Sequence, residues 1–194
     1  MAQQTSVVTP ERYAQGMTYD EYMDSVKVNK ARIEEYYANV SLESAQTDAL
    51  KELTNAERGP ARMMVIGEDW CGDVVRELPV LARVAEAAGL ELRIFPRDEN
   101  HDIMNEFLKE GKYMSIPVAV FYDQGHEYIC HWIERSQAAN REQGEIEAAI
   151  RSEDPDISDQ DFGRQRRART AARASDWQKA TVDELVDMLK EHAH

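Results

Sequence analysis

The chain has 194 residues, with 37 acidic against 23 basic side chains and a formal charge of −14, which repels phosphate backbones and argues against nucleic acid as a partner. Hydrophobic residues make up 42% and charged ones 31%, the balance of a globular chain able to bury one sizeable core rather than of a disordered or fibrous one. The opening MAQQTSVVTPERYAQG has no basic start and no apolar stretch, and nowhere do about 18 apolar residues run together, so neither a signal peptide nor a membrane span is expected. A cytoplasmic setting follows as an expectation, and the two cysteines suit it, since thiols there are normally free.

Residues 1–60 read as a helical extension. Thr9-Pro10 is a cap followed by proline at the first helical position, and Thr18 opens a second helix with Tyr19, Tyr22, Met23, Val26, Ile33 and Tyr37 spaced for one apolar face. That aromatic stripe is assigned to core packing. Gly59-Pro60 breaks the pattern, and ARMMVIG after it suits a buried strand.

Residues 61–152 alternate, as a sheet wrapped by helices does. An amphipathic helix over 72–88 stops at Gly89, and LELRIFP is a second strand. DENHDIMNEFLKEG is expected as a helix with Ile103, Met104, Phe107 and Leu108 inward, ending at Gly111. VAVFYD and EYICHWIER, joined by the turn DQGH, make an antiparallel hairpin, and Ser136 caps a further helix to about residue 152.

Residues 153–194 continue with the acidic stretch of SEDPDISDQD and then RQRRARTAAR, where five arginines between 164 and 173 are read as a solvated helix face paired with the acidic loop. A last helix from Ser175 sets Trp177, Val182, Leu185, Val186 and Leu189 on one side, expected to dock on the domain. The whole is an α/β chain with helical extensions at both ends.

The stretch GEDWCGDVV, residues 67–75, joins the first strand to its helix through Trp70-Cys71-Gly72. SIPV follows at 115–118, and the segment from RDEN through SIPVAVFYDQG keeps a fixed spacing to it. In motif, order and spacing, residues 62–135 resemble the thioredoxin superfamily. More closely, the chain is similar to a bacterial thioredoxin-like branch with Trp-Cys-Gly-Asp in place of the dithiol motif. The resemblance implies a thioredoxin fold, with a mixed central sheet, and a cis peptide bond before Pro117 facing the cysteine. It also exposes two departures: Asp73 and Val74 stand where Cys-Gly-Pro-Cys has proline and the resolving cysteine, and Val65 stands where the buried acid would be.

A single thiolate can form a mixed disulfide but needs a second thiol to release it. Cys130, expected mid-strand two strands away, lies beyond disulfide reach and is read as a buried filler. At Cys71 the helix start favours the thiolate while Asp73, Asp69 and Glu68 oppose it, so its pKa is expected near that of a free thiol, about 8.5. The candidate reacting residues are Cys71 and Asp73. A groove is expected from Trp70, Gly72, Arg97, Asp98, Ile116, Pro117 and Arg135, with Arg97 placed to pair with Asp73 or Asp98, or to hold an anionic ligand. Two functions remain open: a monothiol redox protein whose mixed disulfide an external thiol resolves, and a redox-inert module binding an extended peptide beside Pro117. The expected partner is a protein or a low-molecular-weight thiol, and no metal or other cofactor is expected, because no two histidines stand at ligand spacing.

Overall fold

The protein is described from a computed structural model covering residues 6–192. Residues 1–5 and 193–194, the outer ends of the two expected extensions, lie outside the described residues. Four helices come first: α1 Pro10–Tyr13, α2 Tyr19–Ser25, α3 Lys30–Asn39 and α4 Ser44–Thr54. They lead into β1 Arg62–Gly67, α5 Gly72–Ala88 and β2 Glu91–Pro96. After the short α6 His101–Met104 come β3 Val118–Tyr122 and β4 Tyr128–Ile133. The helices α7 Gln137–Glu153, α8 Asp159–Ala171 and α9 Ala174–His192 complete the described chain.

The sheet runs β2-β1-β3-β4, with β1 parallel to β2 and antiparallel to β3, and β3 antiparallel to β4. It is the mixed sheet expected. Met63, Met64, Val65 and Ile66 of β1 and all of β3 are buried, because both faces of these inner strands are covered. The outer edge of β2 is not left free: Met17 bridges Ile94 through paired backbone hydrogen bonds, so the N-terminal extension covers an edge that could otherwise pair with another chain.

Thr9 and Thr18 cap α1 and α2 as their positions require, Thr18 in a full capping box with Glu21. The single helix expected from Thr18 is instead two. Val26 is extended, Asn29 takes φ 62, and the N–H groups of Lys27 and Val28 donate to the Asp69 carboxylate at 2.7 and 3.0 Å. A tertiary contact thus takes up donors that helical bonding would have used, and it ties the extension to the loop before Cys71.

The helix expected over 98–111 is also shorter, being a single 3-10 turn at Arg97–Glu99 followed by the four residues of α6. Ile103, Met104 and Phe107 are buried as their spacing demands, but the chain turns back at Glu110 and Gly111, both with positive φ, to bridge Lys109 with Tyr113. The arginine segment differs in its partners. Arg164 pairs with Asp161 and Arg169 with Glu153, both of the expected acidic stretch, whereas Arg166 pairs with Glu147 and Arg173 with Glu142, both on α7.

The last helix docks as expected, with Trp177, Val182, Leu185, Val186 and Leu189 buried. No helix among the described residues is long and apolar enough to cross a membrane.

Candidate functional site

Strand registers bring the sequence-predicted residues to one rim. Gly67 at the end of β1 pairs with Pro96 at the end of β2, Ile66 pairs with Val118 at the start of β3, and Val118 pairs with Ile133 at the end of β4. The loops that carry Trp70-Cys71, Arg97-Asp98, Ile116-Pro117 and Arg135 therefore leave from the same side of the sheet. Cys71 is the N-cap residue of α5, extended at φ −81, ψ 122, and Gly72 is the first helical residue. The Ile116-Pro117 bond is cis.

Cys71 is half-buried, and its thiol donates to the Ile116 carbonyl at 3.7 Å. Burial raises its pKa above the ordinary thiol value. The backbone N–H groups of Val74 and Asp73 pull the other way, the Asp73 charge adds to the rise, and Arg135 opposes it. The expectation of a thiol titrating as if free is corrected upward, and desolvation is the reason. Glu68 and Asp69 have other partners: Glu68 accepts from the Asp98 N–H at 2.7 Å, and Asp69 holds the α2–α3 turn.

Asp73 faces two arginines. Arg135 reaches it through Nη2 at 2.6 Å and Nε at 3.2 Å, and Arg76 through Nη2 at 2.6 Å. Burial pushes the Asp73 carboxyl up, but these guanidinium groups outweigh it and hold its pKa below the usual aspartate range. Of the two carboxylates expected as partners of Arg97, the structure gives Asp98 and not Asp73. Arg97 is bound by Asp98 at 2.6 and 2.9 Å and lies 4.9 Å above the Trp70 ring, with Nη1 reaching the Met114 carbonyl at 3.4 Å. The Arg97 side chain thus ties Trp70 to the Met114 backbone, and Trp70, Tyr113 and Met114 are exposed by 51%, 48% and 40%.

Arg76 and the apolar pair Tyr113 and Met114 were not singled out from the sequence. Arg76 had a signal, standing three residues after Asp73 on a helix, where opposite charges meet. Tyr113 and Met114 had none, because nothing in KYMSIP marks which side chains stay uncovered. Cys130 is buried in β4 with its thiol pKa pushed up to about 12 by desolvation, and both cysteines are free. Val74 is fully buried and packs so closely beneath Gly67 that a Cβ there would meet Val74 Cγ1 at 3.0 Å. Among the described residues no three His, Cys, Asp or Glu side chains gather to hold a metal ion.

A cysteine capping a helix from the central strand, opposite a cis proline in a β2-β1-β3-β4 sheet, coincides with a match to a family model described as thioredoxin over residues 16–160. The chain belongs to the thioredoxin family. Two solved structures share the fold of this thioredoxin-like protein over nearly its whole length. One is a protein of unknown function from Pseudomonas aeruginosa, with TM-score 0.67, 18% identity, 97% of this chain covered and 99% of that one. The other is an HIV epitope-scaffold, with TM-score 0.65, 18% identity, and 96% and 99% covered. No curated protein matches. Because the likeness runs through α1 to α9, the helices on either side of the sheet belong to the shared fold.

Proposed function

We propose that this thioredoxin-like protein acts through one thiol, forming a mixed disulfide at Cys71 that an external low-molecular-weight thiol resolves. A substrate segment carrying a disulfide lies along the rim beside Pro117, against Trp70, Tyr113 and Met114. The Cys71 thiolate attacks one substrate sulfur; the new S–S bond joins Cys71 to it and the other sulfur leaves as a thiolate. An external thiolate such as glutathione then attacks the mixed disulfide. Attack at the substrate-derived sulfur restores the Cys71 thiolate and moves the substrate half onto the small thiol, and a second small thiol completes reduction. A cytoplasmic setting would supply that thiol.

The observation that supports this reading is the placement of the Cys71 sulfur beside the Ile116 carbonyl at an open apolar rim, with Val74 buried where a second thiol would have to stand. A second reading draws on the raised thiol pKa: a binding module that holds an extended peptide in the same groove without exchange.

Incubation with glutathione disulfide across neutral to alkaline pH, followed by intact mass, separates them. Redox function requires an adduct that reduced glutathione removes, that is kept in Cys130→Ser and lost in Cys71→Ser. A thiol that stays free even at alkaline pH leaves the binding module as the function.

A further inference from the structure

A cavity of about 240 Å³ opens beside the α5 start, lined by Arg32, Arg76, Arg135, Arg166 and Arg167, with Gly72 and Asp73 among them. Cys71 does not line it; the thiol faces Ile116 instead. Five arginines line one small space in a chain of charge −14, and the fold's ion pairs account for three of them. Arg76 and Arg135 share Asp73 and have Glu77 and Glu134 as further partners, and Arg166 has Glu147. Among the described residues Arg32 and Arg167 have no carboxylate partner, and each is exposed at the cavity.

The walls come from α3, α5, Arg135 after β4, α7 and α8. Helix α8 has no buried residue; arginine pairs tie it to α7 and to the acidic stretch, and its Phe162 ring lies 4.2 Å below the Arg151 guanidinium. Arg167 takes no part in that holding. It lines the cavity together with Arg32, and Gln143 and Thr170 are further polar residues of the lining.

We infer that this cavity is a binding site for a small dianion, a phosphate group or a dicarboxylate, received by Arg32 and Arg167 at the mouth and by Arg76 and Arg135 at its floor. Guanidinium groups are the side chains that bind such oxyanions through paired N–H donors, and gathering several of them in a concave space raises the local anion concentration. Asp73 is the one carboxylate in the lining, and its bonds to Arg76 and Arg135 keep the floor ordered in the unliganded state. The site does not depend on any chemistry of Cys71, so it stands or falls independently of the redox reading.

Calorimetric titration of the full chain at low ionic strength with inorganic phosphate, and in a parallel arm with succinate, tests the site and distinguishes its two ligand classes. Saturable binding with one ion per chain is expected in at least one arm, together with a rise in melting temperature. Arg32→Ala and Arg167→Ala lie at the exposed mouth and leave the Asp73 network intact, so each should fold as the wild type does. Each should weaken binding by about tenfold, the loss of one charge-assisted contact, and the double variant should abolish the melting shift. Absence of saturable binding in both arms at millimolar ligand overturns the inference. So does binding that the double variant retains at wild-type affinity, which would put the anion elsewhere.

Discussion

At Cys71, desolvation and the Asp73 charge keep the proton on sulfur, against two backbone N–H groups and Arg135. Alkylation of Cys71 in Cys130→Ser protein should therefore rise with pH along a curve whose midpoint lies above that of an ordinary thiol. A midpoint below it would mean that the helix start dominates. Replacing Asp73 by Asn removes one opposing charge and frees Arg135 to act on the sulfur, so the midpoint should fall. The same change leaves Arg76 and Arg135 short of a counter-charge in a mostly buried place and should cost roughly 2–4 kcal/mol in urea unfolding at neutral pH. Because the Asp73 pKa is lowered on folding, its stabilisation is complete above the ordinary aspartate value of about 3.9 and fades as pH falls through the folded value. The stability gap between wild type and Asp73→Asn should accordingly close in acid; a gap that persists there would trace to packing.

Between elements, a buried polar tie joins α9 to α5. Glu77, fully buried, accepts from Arg76 Nε at 2.8 Å and from the Thr181 hydroxyl at 2.9 Å. Arg76 in turn lies 4.9 Å from the centre of the Trp177 ring, and the Gln178 amide donates to the Arg76 carbonyl at 3.2 Å. The helix that carries the site at its start is thus fixed along its side by the C-terminal helix. Thr181→Val keeps the shape and removes one donor to a buried carboxylate, which should cost about 1–3 kcal/mol by denaturant unfolding, and Trp177→Ala about 3–5 kcal/mol. A neutral Thr181→Val would show that Arg76 alone satisfies Glu77. The amphipathic face of α9 was legible in the sequence because apolar spacing reports burial directly. The polar tie was not, since Thr181, Arg76 and Glu77 look like ordinary exposed helix residues until their helices are set together. The break between α2 and α3 was hidden for the same reason: Asp69, the acceptor that causes it, lies 41 residues away from Val28.

For the whole molecule, the order of elements along the chain and the cysteine at the helix start could be read from motif and spacing, because strands, turns and caps have local causes, while the mixed sheet came with the resemblance to thioredoxins. The exposure of Tyr113 and Met114 and the arginine cavity could not, because no local pattern marks either and the cavity is assembled from elements distant in sequence. The proposed single-thiol chemistry turns on Val74 standing where a dithiol protein has its second cysteine. Val74→Cys puts a smaller side chain in a buried position of the α5 start and should allow an internal disulfide with Cys71 under mild oxidation, detected as loss of both reactive thiols. The wild type should fail to sustain insulin reduction with dithiothreitol at thioredoxin-like rates.

The most direct test of single-thiol chemistry is release from a preformed mixed disulfide. A fluorescent peptide thiol is joined to Cys71, and its departure is followed with and without added glutathione. The expected result is a stable adduct in buffer alone, released at a rate proportional to glutathione and unchanged in Cys130→Ser. Release without any external thiol, abolished by Cys130→Ser, would contradict it and make Cys130 the resolving group.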